Sequence, residues 1–326
     1  DNTTGIYNVA VGSAALDANT TGVNNVAVGF RALSTTQDGI DNVAVGTQAL
    51  YDATSANYCT AVGGGALGNN TTADQNTAIG YVSLGTNTTG ANNTAVGHQS
   101  LYSNTTAGNN AAFGQRALYL NTTGFNNTAL GTHTLLSNTE GYENVAVGTS
   151  ALEDNTTGDS NVAVGRSALA NNTTANENTG IGHNALSANT TGTKNVALGA
   201  FALDYAQTDS NNTAVGWSAL TTLRGGNGNT ALGYRALLYS QTGSANVAVG
   251  SNSMFSNTTG TGNCAIGNAA LYYSTTGTNN VAVGNNAVEK LTTSSDNIGI
   301  GKNALYLKQT GNPSIAIGRD ALYNQS

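Results

Sequence analysis

The chain is short of most of what usually carries chemistry or charge. Of its 326 residues only 8% are Asp, Glu, Lys or Arg, against about 25% in ordinary soluble domains. It has one proline, two cysteines, one tryptophan, one methionine and three histidines. With few basic residues, no basic run and a formal net charge of -7, it has no electrostatic footprint for nucleic acid or an anionic membrane surface, so neither is an expected partner. No run of about 18 apolar residues is present to insert in a membrane as a helix. Serines and acids are scattered along the chain, without a Ser/His/Asp grouping, a paired carboxylate row or a zinc spacing, and the triplet Gly63-Gly64-Gly65 is not a P-loop. The expectation is a protein that is not an enzyme and holds no cofactor or metal.

What is present is repetition. Asn8-Val9-Ala10-Val11-Gly12 returns at Asn25 to Gly29 and at Asn42 to Gly46, and its glycine recurs every seventeenth residue to Gly318. The consensus is N-V-A-V-G-x-x-A-L-x-x-N-T-T-G-x-x, numbered here as unit positions one to seventeen. Nineteen copies run without insertion or deletion, which makes this a repeat protein first. A unit of seventeen is too short for a helical hairpin, and its β-branched, Asn, Thr and Gly content disfavours helix. One unit should therefore be one coil of an all-β, parallel β-solenoid of nineteen coils, a single continuous array over residues 1–326. At about 4.8 Å per coil this would make a rod of roughly 90 Å. Neither chain end shows an atypical capping coil, so a segment of a longer chain is expected.

Position by position, the rows acquire roles. Large apolar residues at position four (Val11, Ile79, Phe113, Leu130) and Leu at position nine (Leu16, Leu33, Leu50) are read as the core. Asn at position one (Asn8, Asn25, Asn42) should form a coil-to-coil hydrogen-bond ladder at a corner. The invariant glycine (Gly12, Gly29, Gly46) should mark a backbone angle or close approach that a Cβ forbids. If position four faces inward, the alanines at three (Ala10, Ala27, Ala44) face outward, and a face so uniformly small and apolar reads as packed against another chain. The Asn-Thr-Thr-Gly run at twelve to fifteen is a turn, with Thr suited to ladder bonding.

The 10 basic and 17 acidic residues avoid positions one to five, eight and nine, which places solvent on the rest of the coil. Positions six and seven form a variable rim, where Phe30, Tyr81, Trp217 and Tyr234 mark a candidate binding surface beside basic residues such as Arg31 and Arg235. A second set of aromatics at position ten, including Tyr51, Tyr102, Tyr119, Phe255 and Tyr272, reads as packing over the core edge or between chains. His98, His133 and His183 fall in coils too far apart to share a metal. Cys59 and Cys264, twelve units apart, are beyond disulfide reach within one chain and are read as small buried residues.

The element N-V-A-V-G-x-x-A-L, as at Asn161 to Leu169, resembles the repeat of trimeric autotransporter adhesin heads. The longer N-T-T-G-x-N-N-T-A-x-G-x-x-A-L form, as at Asn121 to Leu135, more closely resembles repeat arrays of phage tail-fibre-like proteins. The likeness covers all nineteen units; it departs from the adhesin heads in its longer unit and in the absence of stalk heptads, an anchor or a peptidase domain. It implies a left-handed β-roll in a homotrimer, located outside the cell, on its surface or on a virion. The expected function is a structural fibre or adhesin segment acting as a rigid spacer, whose partners are further copies of itself and, at its rim, cell-surface glycans or a host receptor. The alternative is an ice-binding solenoid, for which Thr at position two in only seven units is a thin array. A solenoid enzyme acting on glycans is the third reading, and scattered single charges argue against it.

Overall fold

A computed structural model of the chain describes residues 2–324. It has no helix among those residues and contains nineteen three-residue strands, from β1 (Val9–Val11) to β19 (Ile315–Ile317), one in every seventeen-residue unit. Each strand occupies unit positions two to four. The architecture is a parallel β-solenoid with one repeat per turn. Two compact units are distinguished, the first ending at Asn161 and the second beginning at Val162. In the first, β1 to β9 (Val145–Val147) pair in chain order, every strand parallel to the next. In the second, β10 (Val162–Val164) to β19 do the same. The register step is one repeat, so like stacks on like: Ala27 on Ala44 and Val28 on Val45.

The core is thinner than the size of the position-four residues suggests, and this reverses the expected strand orientation. Ala27, Ala44 and the position-three alanines of the later coils are buried, whereas Ile79, Phe113 and Leu130 at position four are exposed by about two-fifths to a half. Of the three alanines expected to face outward, only Ala10, on the first coil, is exposed. The reason appears where glycine replaces that alanine. A Cβ on Gly180 would lie 3.2 Å from Leu169 Cγ and 3.1 Å from the Ala185 carbonyl oxygen. Position three thus points at the Leu of the preceding coil and the position-eight backbone of its own. The gap between strand and opposite turn admits one methyl group. Anything larger must face out, which is why the Val, Ile, Leu and Phe of position four do.

The inward set is therefore Ala at three, a small residue at eight and Leu at nine. Leu33, Leu50 and their equivalents up to Leu305 are inaccessible to solvent, as are Met254 and Val288 where they replace Leu; Leu16 and Leu322, in the first and last coils, are more exposed. These residues sit in the left-handed region, with φ of 52° at Leu33 and 50° at Leu50. That conformation costs roughly 1–2 kcal/mol per non-glycine residue. Full burial of a Leu side chain contributes about 1.5–3 kcal/mol, so the burial offsets the strain and makes it tolerable in every coil.

Glycine at position five is required twice over. Gly12, Gly29 and Gly46 have φ of 132°, 136° and 136°, a region essentially closed to side-chain-bearing residues. A Cβ on Gly29 would also lie 2.5 Å from the carbonyl oxygen of Gly46 in the next coil.

Two asparagine ladders close the corners. At position one, Asn25 donates its backbone N–H to Asn8 Oδ1 (2.9 Å), and Asn42 donates to Asn25 Oδ1 (3.0 Å). Each Nδ2 also donates to the carbonyl of the turn fourteen residues ahead, as Asn25 does to Gly39 at 2.7 Å. The second ladder, at position twelve, did not stand out from the turn that contains it. Asn104, Asn121, Asn138 and Asn155 each donate Nδ2 to the Oδ1 of the Asn one coil earlier, at 2.7–3.0 Å. The same Nδ2 groups donate to the carbonyl three residues on, which fixes the Asn-x-x-Gly turn. Beside it, Thr at position thirteen donates Oγ1 to the carbonyl of the next coil, as Thr122 does to Thr139 at 2.9 Å. In the second unit Lys308 stands in the position-twelve row, buried, its Nζ donating to the Asn312 carbonyl and to Ser314 Oγ.

One carboxylate breaks the pattern. Asp209 occupies position fifteen, where Gly is usual, and is almost fully buried. Its Oδ1 accepts from Gly225 N–H, but its Oδ2 has no hydrogen-bond partner. Desolvation pushes its pKa above the usual 3.8, against the lowering pull of nearby backbone N–H groups. A carboxyl whose folded pKa is raised contributes stability below its unfolded pKa, and that contribution is lost as pH rises through the folded value. Asp209→Asn, which keeps an acceptor and removes the charge, should therefore raise the thermal midpoint at neutral pH. The gain should shrink as pH falls toward 4, the ordinary carboxyl range. Midpoints for both proteins across that range check it.

Candidate interaction face

With position three turned inward, positions two and four share the outer side of every strand. The row at four reads Ile79, Val96, Phe113, Leu130 in successive coils of the first unit, and Leu232, Val249, Ile266 in the second. Position two adds Val or Thr, with Ala111, Cys264, Ile298 and Ile315 as the exceptions. No strand carries a charged residue. Exposed large apolar side chains are thus concentrated on a sheet face, among them Ile79, Phe113, Leu130, Ile181, Leu232, Ile266 and Ile300. Scattered exposed hydrophobic residues are ordinary, but a contiguous row marks an interaction surface. Ala27 and Ala44, for which the sequence suggested an inter-chain role, lie inside the coil, and it is the residues on either side of them that face outward. The signal was available: a position that must be small in every unit is confined, whereas one that accepts Val, Ile, Leu or Phe is open.

The two cysteines divide along the same line. Cys59, at position one, is fully buried, and burial pushes its thiol up to about 11, which keeps it an unreactive thiol at neutral pH. Cys264, at position two, is half-buried on the outer side of its strand, not in the core.

The rim residues are placed on the turn that follows the strand. Trp217 and Tyr234 are brought together, stacked with centroids 5.3 Å apart and planes 15° from parallel. The Arg235 guanidinium lies 5.1 Å from the Trp217 ring and 5.0 Å from the Tyr234 ring. Phe201 meets Trp217 edge-on at 6.3 Å and His183 at 5.2 Å, which extends this aromatic run over four successive coils of the second unit. Phe30 and Tyr81 are separate from each other: Arg31 covers Phe30 at 5.2 Å, and Tyr81 stacks on His98 at 5.7 Å. At position ten, aromatics of adjacent coils also stack, Tyr102 on Tyr119 at 5.5 Å and Phe255 on Tyr272 at 4.8 Å. The spacing of coils, about 4.8 Å, is itself a stacking distance, so any two aromatics at the same position of neighbouring coils meet.

Among the described residues no three His, Cys, Asp or Glu side chains gather where they could hold a metal ion, and no helix is long and apolar enough to cross a membrane. The polar groups that are concentrated in this fold, the asparagine ladders, are spent on its own backbone. The arrangement offers surfaces, one apolar and without charge on its strands, the other a rim of stacked aromatics. Neither any protein-family model nor any curated protein sequence matches the chain.

Proposed function

We propose that this chain is a structural segment of an extracellular fibre or adhesin, in which several copies, as a homotrimer or filament, pack through their outward strand faces. The reading rests on one observation, the exposed apolar row at position four. A Val or Ile side chain gains about 1.5–3 kcal/mol on full burial, and here the row stays partly exposed along an uncharged strand face, by about two-fifths at Ile79, Ile181, Ile266 and Ile300. A second copy is the partner whose surface matches in period, since it presents the same rows at the same spacing of about 4.8 Å. The resemblance to adhesin heads and tail-fibre arrays adds the trimeric form and the location outside the cell. In this reading the ladders and the invariant glycine make a stiff body, and the rim residues are free to differ from coil to coil.

Cys264 offers a native reporter, because it lies on that face and Cys59 is too buried to compete. In the wild-type chain its thiol should react slowly with a soluble disulfide reagent. With Leu232→Asp, Ile266→Asp and Ile300→Asp together, which place charge on the face without entering the core, it should react at the rate of an open thiol while circular dichroism is unchanged. Equal, fast reaction in both proteins would count against the packing.

A second reading has an observation of its own. Thr60, Thr77 and Thr94 follow one another at position two and face outward beside Val62, Ile79 and Val96, an uncharged row of the kind that ice binding uses. The neighbouring column is aliphatic instead of a second rank of Thr. Thermal hysteresis in the purified chain would favour this reading, and its absence would remove it.

A further inference from the structure

We propose that the rim of the first unit carries a binding notch for a neutral sugar, of one or two pyranose rings, on the side of the coil away from the strand face. Glycine enters positions six, seven and ten of the repeat only four times in the chain, as Gly64, Gly65, Gly68 and Gly85, all within two consecutive coils. The backbone does not ask for it. Position seven is left-handed throughout, and Gln48, Val82 and Arg116 adopt it with φ of 56°, 46° and 54°. Position ten holds Asp, Ser, Tyr, Leu, Glu, Ala, Thr or Phe in the other coils. What the four glycines do is strip the side chains from a patch of rim.

Two adjoining hollows result, of about 230 and 250 Å³, which share Gln48, Gly65 and Val82. Each is smaller than the roughly 300–1,000 Å³ of a site for a drug-sized ligand, which suits one or two rings. Tyrosines wall them. Tyr51 lies three coils before Tyr102 in the position-ten row, with only Gly68 and Gly85 between. Tyr102 stacks on Tyr119 with one face; its ring edge leans over the bare backbone of Gly85, whose absent Cβ would lie 3.2 Å from the Tyr102 Cε2. Tyr81 is held likewise, stacked on His98 and leaning over Gly64, 3.5 Å from where that Cβ would be. Elsewhere along these rows an aromatic face meets the side chain of the next coil; here it meets glycine and open space.

The chemistry of the lining selects the ligand. Neither hollow has a Lys, Arg, His, Asp or Glu in its wall, so nothing compensates the charge of a phosphate, a carboxylate or an amine. The exposed amides of Gln48 and Asn69 both donate and accept, as vicinal hydroxyls require, and Thr47 and Thr86 add hydroxyl groups. Aromatic faces, electron-rich at the centre, suit the C–H face of a pyranose.

Saturation-transfer NMR on the full chain tests this with methyl glucosides, galactosides and mannosides, lactose and maltose at millimolar concentration, with sialic acid and a neutral tripeptide as controls. Transfer to at least one neutral sugar, exceeding both controls, is expected. Gly68→Tyr with Gly85→Tyr continues the position-ten stack that Tyr102 and Tyr119 already form, so the fold should persist, and binding should weaken by about tenfold or more. Tyr102→Ala should weaken it as well. No transfer to any neutral sugar, transfer undiminished in the filled variant, or preference for the tripeptide would each overturn the proposal.

Discussion

Gly97→Ala should lower stability by about 3 kcal/mol or more, a large effect for the addition of one methyl group. Gly97 has a φ of 136°, and the added Cβ would lie 2.5 Å from the Gly114 carbonyl oxygen and 2.7 Å from its carbon. Both are backbone atoms of the next coil and cannot swing aside as a side chain could. Relief would require the two coils to separate, and that would lengthen the ladder bonds on both sides. The control is Gly64→Ala, at position six, which lies outside the left-handed region, where the added Cβ would meet nothing closer than Tyr81 Cδ2 at 3.5 Å and where Ala200 stands at the same position of another coil. It should cost about 1 kcal/mol or less. Urea titration of the two variants separates a requirement specific to position five from a general intolerance of the stack to methyl groups.

Asn110→Leu, similar in size but without hydrogen-bonding groups, should cost about 1–3 kcal/mol, since it leaves the buried Asn127 N–H without a partner, while the Gly124 carbonyl still accepts from Asn121 Nδ2 at 2.8 Å. In the wild-type chain Asn110 donates Nδ2 to the Gly124 carbonyl at 2.9 Å and accepts at Oδ1 from Asn127 N–H at 3.0 Å. Asn110 is about 1% exposed, so water cannot substitute. Asn110→Asp should be at least as damaging, because a carboxylate accepts from Asn127 but cannot donate to Gly124, and its charge would be buried. A midpoint close to wild type for the Leu variant would mean that the ladder is ornamental and that the Leu and Ala rows alone hold the coils.

The repeat length, the strand, the Leu row, the corner asparagine and the invariant glycine could all be read from the chain, because each is a row of identical residues with one physical use. The strand's orientation could not be read by size. A three-residue strand alternates once, and the habit of placing the larger side chain inside put Val11 and Ile79 in the core and Ala27 outside. What decides the matter is the depth of the coil, and depth depends on how closely the opposite turn, with Leu33 and Ala32, approaches the strand. That distance is a property of the closed coil and has no local signature. The constancy of position three was the indirect trace of it. The Asn ladder at position twelve was hidden for a different reason: Asn-Thr-Thr-Gly is sufficient as a turn, so nothing in Asn121 or Asn138 announced a second partner one coil away. At the rim, the stacked pair Trp217 and Tyr234 followed from the period alone. The glycine patch around Gly65 was visible as composition, but its meaning depended on where Tyr51, Tyr81 and Tyr102 stand around it.

If the outward row of Val, Ile, Leu and Phe is closed by further copies of the chain, the protein is an oligomer in solution. Sedimentation equilibrium of the purified wild-type protein over a wide concentration range tests it most directly. The expected mass is a multiple of 32.7 kDa, three-fold for a closed trimer, held down to the lowest concentration measured. A single species of 32.7 kDa at every concentration, with the strand face open to water, would contradict it.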